Sequence, residues 1–422
     1  MEYRSYLASF FKTLLFLSVF GLCVLLPYGW WFIAASGDVD MQGVVRKQAG
    51  GDFAMFGSGV SQDFVDYKLH LYEAVKPDII ALGSSRVMQF RSSFFSKKFL
   101  NIGGTAGNLA VLRSTIDAML KQHTPELVIL GLDFWWFTKQ WEPEPFKNVP
   151  PTSGSYAYSF DVLKTPYTWL LEGKLGLADF FAPLTGGFEA NMYGVMAQKT
   201  RDGFASDGSW YYTADVTGQQ KPFDYQFKDT LKQVNSKIKA FAPASELSRE
   251  HVDALAEILC KLQARNISTY IFISPLSQAV YDAMLAREQD FPQLFQLANV
   301  LAERGIIVQD YSNPQMLRAN DCEFVDGFHG GDVVYARILR DMADKDPALV
   351  QYVDIMALDE NIHYYTGFAM IPDQRVSKLP EVDFMSFSCP KQRAAPPEPV
   401  APPPQQKESP KKQQLQRQKS RR

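Results

Sequence analysis

The stretch PDIIALGSSR, residues 77–86, is a short apolar run that stops abruptly at small residues and an arginine. An apolar run of this length, with Pro before it and Gly-Ser-Ser after it, is typical of a central parallel strand entering a loop at its carboxyl end. In open α/β sheets ligands bind at that edge, so the pattern predicts an accessible Ser85 at a strand-to-helix turn. The alternative interpretation is a plain turn followed by a helix cap.

Outside this stretch, strand-like and helix-like segments alternate along much of the chain. The apolar patterns predict strands at 79–82, 99–102, 126–132, 269–274 and 306–310, helices at 108–123, 248–263 and 332–344, and one or two helices over 277–304. Strand, helix and strand in repeated order favour a parallel sheet with right-handed crossovers. We therefore predict an α/β fold with about five parallel strands.

The alternation is interrupted by a long aromatic-rich region. It is rich in Trp, Tyr, Phe, Gly and Pro and exceeds the length of an ordinary loop, which predicts an insertion or subdomain. The chain after residue 380 becomes Pro-, Gln- and Lys/Arg-rich, a composition that favours disorder. The predicted segments are an N-terminus with anchor (1–36), a stem (37–76), two parts of one α/β domain (77–133 and 246–380), the insertion between them (134–245) and a tail (381–422).

The anchor is an uncharged run of 22 residues from Leu14 to Ala35, long enough to span a bilayer. A cleaved secretory signal is the alternative, although the apolar run is longer than the usual core of a signal. Arg4 and Lys12 precede the run and acidic residues follow it, so the positive-inside rule places the N-terminus in the cytoplasm. The prediction is a single-pass protein of the cytoplasmic membrane, in contact with lipid through this helix, whose remaining chain lies on the periplasmic or extracytoplasmic side.

Charge and cysteine content exclude some classes of function. Residues 390–422 carry nine Lys/Arg against two Glu, while the whole chain has a formal net charge of -3. This basic tail is suited to an anionic polymer, a lipid surface or a partner, whereas nucleic acid is not expected outside the cytoplasm. The four cysteines form no CxxC pair, so we predict no zinc or other metal, and at most one disulfide among Cys260, Cys322 and Cys389.

Three predicted strand ends converge on one edge of the sheet. Ser85 follows the first strand, Gly103 the second and Asp133 the third. A seryl nucleophile requires a neighbouring base and N–H groups that hold an oxyanion, and glycine permits close backbone approach. Of five histidines, His329 follows the fifth strand and stands three residues after Asp326, a spacing that lets the carboxylate orient the imidazole. Alone, this D-x-x-H pattern is more typical of a surface turn.

The four blocks Gly83-Ser84-Ser85, Asn101-Ile102-Gly103, Gly131-Leu132-Asp133 and Asp326-Gly327-Phe328-His329 resemble the successive blocks of the SGNH, or GDSL-type, hydrolase superfamily. The resemblance implies a flavodoxin-like three-layer domain without a cofactor. It also implies that Ser85 is the nucleophile, His329 the base and Asp326 its orienting acid, with the N–H groups of Ser85 and Gly103 in the oxyanion hole.

Two positions depart from that pattern. Ser84 stands where the family usually has Asp, and Asp133 where it usually has Asn. An ionised carboxylate cannot donate to an oxyanion, so Asp133 either pairs with Arg86 or is structural, and a neutral Asp133 is the third option. Trp135 and Trp136 follow on the same edge and are candidates for shaping the site, although aromatic runs are more often core.

The single anchor, the Gly-Ser-Ser block and the late D-x-x-H resemble the membrane-anchored branch of the superfamily, which includes the D-alanyl transfer protein of teichoic acid synthesis and the SGNH-like proteins of alginate and cellulose acetylation. This implies transfer of an acyl group, acetyl by analogy, onto a cell-surface polysaccharide through an acyl-serine. The implied partners are a polytopic membrane-bound O-acyltransferase and other envelope biosynthesis proteins. An esterase on the same polymer and a non-catalytic scaffold remain alternatives.

Overall fold

Two sheets organise the computed structural model, which describes residues 2–60, 64–150, 160–244 and 246–391. The larger sheet has five strands in the order β3-β2-β4-β8-β9, and all of its pairings are parallel. The strands of both sheets are β1 Met55–Phe56, β2 Ile79–Leu82, β3 Phe99–Asn101, β4 Leu127–Leu132, β5 Met192–Tyr193, β6 Gly203–Phe204, β7 Trp210–Tyr211, β8 Ser268–Ile273 and β9 Gln309–Asp310. The prediction of an α/β chain with about five parallel strands is confirmed.

Helices connect these strands. They are α1 Glu2–Phe20, α2 Leu26–Ala35, α3 Met41–Ala49, α4 Val65–Val75, α5 Leu109–Gln122, α6 Phe160–Leu171, α7 Leu177–Phe180, α8 Ala182–Thr185, α9 Val195–Thr200, α10 Thr213–Val216, α11 Lys228–Ser236, α12 Arg249–Gln263, α13 Gln278–Leu285, α14 Pro292–Phe295, α15 Leu297–Glu303, α16 Asp332–Lys345 and α17 Ile355–Tyr365. The segment 277–304, predicted to form one or two helices, thus forms three, and the predicted strand at 306–310 pairs only at β9.

The apolar runs that predicted the central strands are buried throughout. Every residue of β2 and of β4 is buried, as expected for strands covered on both faces. Helices α4, α5 and α12 pack side by side, and α16 packs against α17. All five strands run in the same direction, so their carboxyl ends share one edge.

The smaller sheet, with the order β5-β1-β6-β7, joins two regions that are far apart in sequence. Strand β1 belongs to residues 37–76, which the sequence suggested were a stem, and its neighbours β5 and β6 belong to residues 134–245. Residues 37–76 also contain α3 and α4, so they form part of the folded body.

The N-terminal helix is continuous from α1 through a π-helical turn, Gly21–Leu25, into α2. Within the described residues, Tyr3–Ala35 is the one helix long and apolar enough to cross a membrane. The side chains of Phe32 and Ile33, near its end, are buried in a small core with Leu175 and Val195. A single-pass anchor is consistent with this helix, and its sidedness stays a prediction.

The ordered body extends beyond the predicted start of the tail. Residues 381–391 were predicted to be disordered, yet Glu381, Phe384 and Met385 are buried. A disulfide between Cys322 and Cys389 also holds this segment. The sequence suggested disorder because the chain after residue 380 is rich in Pro, Gln, Lys and Arg, whereas the few apolar side chains of this segment and its disulfide attach it to the body. The remaining predicted tail, 392–422, lies outside the described residues.

Candidate active site

Ser85 lies where the sequence placed it, in the turn that follows β2. It begins a short 3-10 helix, Ser85–Val87, and the Ser84 hydroxyl caps that helix by accepting a hydrogen bond from the Arg86 amide at 3.2 Å. Ser85 is half-buried, so its hydroxyl is reachable from solvent. Strand β4 ends beside it, and Asp133 follows that strand directly.

Ser85, His329 and Asp326 form one hydrogen-bonded chain. The Ser85 Oγ lies 2.8 Å from His329 Nε2, and His329 Nδ1 lies 2.6 Å from Asp326 Oδ2. With Nδ1 protonated, Nε2 is the free acceptor that can take the proton of the serine hydroxyl. These distances are those of a nucleophile, a base and a carboxylate that orients the base.

The loop that carries His329 is shaped by Asp326. One carboxylate oxygen, Oδ1, accepts the backbone amides of Phe328 at 2.9 Å and His329 at 2.7 Å, which closes a tight turn. The Val325 amide then donates to the His329 carbonyl at 2.9 Å. Burial tends to raise the pKa of Asp326, but the imidazole and these amides outweigh it and hold the pKa below its usual value. The acid therefore stays ionised beside His329.

The strand-end glycines make room for one side chain, Val87. A Cβ on Gly131 would lie 2.3 Å from Val87 Cγ1, and a Cβ on Gly103 would lie 2.7 Å from Val87 Cγ2. Gly83 adopts φ of +153°, and a Cβ there would meet the Gly131 carbonyl oxygen at 2.8 Å. Because these three residues have no side chain, the turn after Ser85 can pack closely against the ends of β2, β3 and β4.

Gly103 differs from its expected oxyanion role in one respect. Its amide donates to the Asn101 Oδ1 at 2.8 Å, so this N–H already has an acceptor. In the described part of the chain the Ser85 amide donates to no acceptor, which leaves it available to an oxyanion. Of the two predicted donors, the structure therefore presents Ser85 N–H unoccupied and Gly103 N–H occupied.

Asn101 and Lys68 make hydrogen bonds around the end of β3, near Ser85. Neither was identified as a site residue from the sequence. The Asn101 amide group donates to the carbonyls of Val87 at 2.9 Å and Phe90 at 3.0 Å. The fully buried Lys68 donates from Nζ to the Asn101 carbonyl at 2.8 Å and to the Gly208 carbonyl. Burial lowers the pKa of Lys68 well below its usual value, against the attraction of Asp207. The Asn101-Ile102-Gly103 block was a sequence signal that could have identified Asn101. No feature of the sequence distinguishes Lys68 from a lysine on the surface of α4.

Arg86 connects the Ser85 turn to three other loops and is fully buried. Its Nε donates to the Phe328 carbonyl at 2.8 Å, next to His329. One terminal nitrogen donates to Asp133 Oδ1 at 3.1 Å, and the other donates to the Ser274 and Pro275 carbonyls at 2.9 and 2.5 Å. Arg86 thus fixes the loops after β4 and β8 relative to the loop that carries His329.

Asp133 is the acceptor of Arg86, which is one of the roles considered from the sequence. Burial raises the pKa of its carboxyl group, while the Arg86 charge acts in the opposite direction. The two side chains are each 1% exposed, so neither is open to a large substrate.

The two tryptophans lie mainly in the core. Trp136 is fully buried, and Trp135 is 7% exposed. Trp135 packs edge-on against Phe328, with 6.4 Å between ring centroids, and the Arg86 guanidinium lies 5.3 Å from its ring. Trp135 therefore shapes the site through neighbouring residues, whereas Trp136 contributes to packing.

The described residues contain no group of three or more His, Cys, Asp or Glu side chains that would hold a metal ion. Comparisons with protein-family models, curated proteins and solved structures found no match to this chain.

Proposed function

We propose that this chain is a membrane-anchored serine acyltransferase of the SGNH type, which moves an acyl group onto an extracytoplasmic polysaccharide. The observation that carries the proposal is the chain from Ser85 Oγ through His329 to Asp326, with donor-acceptor distances of 2.8 and 2.6 Å. The flavodoxin-like assignment and the view of residues 134–245 as an insertion are part of this proposal.

The reaction has two balanced steps. Ser85 Oγ attacks the acyl carbonyl while His329 Nε2 takes its proton, and the same proton leaves with the departing group of the donor, which gives acyl-Ser85. A polymer hydroxyl then attacks the acyl-serine, His329 accepts the hydroxyl proton, and that proton returns to Ser85 as the new ester departs. The Ser85 amide is the donor placed to hold the oxyanion in both steps.

Two features support an extracytoplasmic location. The apolar helix Tyr3–Ala35 suits a single-pass anchor, and the Cys322–Cys389 disulfide suits an oxidising compartment. A polytopic membrane-bound O-acyltransferase as the source of the acyl group, other envelope biosynthesis proteins as partners, and a polysaccharide as the acceptor follow from the family resemblance.

The test uses the full chain in lipid nanodiscs. A fluorophosphonate probe should add one adduct to the wild type, located at Ser85 by peptide mass spectrometry, and none to Ser85→Ala. Ser93→Ala is the matched control, because Ser93 is an exposed serine of a neighbouring short helix, and it should label like the wild type. Equal labelling of Ser85→Ala and the wild type would leave only the scaffold alternative.

Transfer and hydrolysis are separated by product analysis. The same nanodiscs are incubated with p-nitrophenyl acetate and an oligosaccharide acceptor, and both products are measured by mass spectrometry. Acetylated oligosaccharide that depends on Ser85 supports transfer. Free acetate alone, at any acceptor concentration, would assign the site to an esterase.

A further inference from the structure

A group of large apolar side chains is exposed beside the end of the anchor. We call it the lipid patch, and its members are Leu177 (68% exposed), Leu184 (60%) and Phe181 (44%). Leu177 lies in α7, Leu184 lies in α8, and Phe181 is the single residue between these two short helices. Apolar residues clustered in this way mark a surface that another apolar medium covers.

The lipid patch is fixed directly to the anchor. The Tyr28 hydroxyl donates to the Phe180 carbonyl at 2.5 Å, and the two rings are 5.0 Å apart. Helix α6 crosses α2 so closely that a Cβ on Gly29 would lie 2.2 Å from the Leu163 carbonyl oxygen. The first turns of α6 and the pair α7 and α8 therefore lie at the level of Tyr28 and Gly29.

That level coincides with the expected boundary of the bilayer. From Lys12 to Trp31 the helix rises about 30 Å, at about 1.5 Å per residue, which is the thickness of the hydrocarbon core. Trp30 and Trp31 are about 40% exposed, as suits an interfacial belt. The next residues, Phe32 and Ile33, are buried in the small core with Leu175, so the level of Tyr28 and Gly29 lies close to the end of the span.

We propose that the lipid patch is a second membrane contact, in which these three side chains insert into the interfacial region of the leaflet at the carboxyl end of the anchor. Lipid is the occupant that the geometry favours, because the patch continues the lipid-exposed surface of the anchor at the same depth. Amphipathic segments of this kind lie in the plane of the interface. Two points of attachment would restrict rotation of the body about its anchor and fix the face that it presents to the membrane.

The test places an environment-sensitive NBD label at single cysteines in full-length protein, with one copy per phosphatidylcholine nanodisc. Leu184→Cys and Leu177→Cys are each made in a Cys23→Ser/Cys260→Ser background. Cys23 itself, with only Cys260→Ser, is the label within the membrane span, and Ile307→Cys is the matched control, since Ile307 is 83% exposed on the body.

At positions 184 and 177 we expect blue-shifted emission relative to position 307, and stronger quenching by lipids brominated near the headgroup than by lipids brominated near the chain ends. Cys23 should show the opposite depth preference, because it lies near the middle of the span. Emission and quenching at 184 and 177 equal to those at 307 would overturn the proposal. A blue shift that occurs only in discs carrying two copies would assign the patch to a dimer interface and would also overturn it.

Discussion

At the scale of single residues, Arg86 is the side chain that connects the loops around Ser85. Its neighbours are an ionisable side chain, Asp133, and three backbone carbonyls, those of Phe328, Ser274 and Pro275. A guanidinium can bind several acceptors at once because its five N–H donors point in fixed directions. The Asp133 carboxyl group thereby has Oδ1 hydrogen-bonded to Arg86, while its Oδ2 has no hydrogen-bond partner among the described residues.

The first prediction concerns this buried pair. Arg86→Met should lower the free energy of unfolding by about 3–5 kcal/mol, because it leaves Asp133 buried without its cation. Asp133→Asn should cost less, about 1–2 kcal/mol, since Arg86 keeps three carbonyl acceptors. Chemical denaturation of the full chain in detergent measures both variants and the double variant.

The double variant is the decisive comparison in this cycle. Arg86→Met/Asp133→Asn should be less destabilised than the sum of the two single variants, because neither buried charge remains. The more exposed ion pair of Arg113 and Glu257, with side chains 21% and 62% exposed, is the control. The same cycle there should show a coupling of less than about 1 kcal/mol. Strict additivity at Arg86 and Asp133 would contradict the assigned interaction.

At the scale of elements, buried polar residues join the aromatic-rich region to the body. Lys68 of α4 reaches the turn between β6 and β7, and Asp202 lies just before β6. The Asp202 carboxyl group accepts the Ala214 amide at the start of α10 and the Thr200 hydroxyl, both at 2.9 Å. Asp202 thus connects the end of α9 to α10.

The second prediction uses the protonation of Asp202. Burial raises the pKa of this carboxyl group from 3.8 to about 7 in the folded protein, against its hydrogen bonds. The folded state then binds more protons than the unfolded state between about pH 4 and 7, so the free energy of unfolding should fall as pH rises through this window, by up to about 1.4 kcal/mol per unit.

Asp202→Asn should remove this part of the pH dependence, because an amide does not titrate. Denaturation midpoints of wild type and variant at several values from about pH 4 to 8 measure the difference. Asp359→Asn, at an exposed position of α17, is the control and should keep the wild-type slope. An Asp202→Asn curve parallel to that of the wild type would argue against a protonated Asp202.

At the scale of the whole molecule, the segment 381–391 is attached to the folded body by a disulfide and by hydrogen bonds. The Cys322–Cys389 disulfide spans 67 residues and fastens this segment next to the loop that carries Asp326 and His329. The Glu381 carboxylate accepts the amides of Ala369 at 2.9 Å and Met370 at 2.8 Å. This segment therefore belongs to the folded body.

The third prediction is that Cys322→Ser/Cys389→Ser lowers the free energy of unfolding by about 2–4 kcal/mol, because the unfolded chain loses a closed loop. Thermal unfolding of the full chain, with and without reductant, measures it. Reductant should lower the wild-type midpoint and leave that of the double variant unchanged. Cys260→Ser, which removes an exposed free thiol, should behave like the wild type, and a wild-type midpoint insensitive to complete reduction would refute a stabilising disulfide.

The sequence by itself determined the features that depend on local pattern. Buried strands have continuous apolar sequences, so four of the five parallel strands and the helix at 108–123 were predictable within one or two residues. Because parallel strands end at one edge, the sequence also indicated that Ser85 and His329 would approach each other. The same argument identified Asp326, whose spacing from His329 suits a single turn.

Only the tertiary structure decided which partners the polar groups take. Whether the Gly103 amide faces an oxyanion or Asn101, and whether Asp133 meets Arg86, depends on where other loops lie. The burial of Trp136, the pairing of β1 with β5 and β6, and the choice of Cys322 with Cys389 are likewise contacts between residues far apart in sequence. Local propensity carries no information about such contacts, because their free energy arises only when the packed chain brings the groups together.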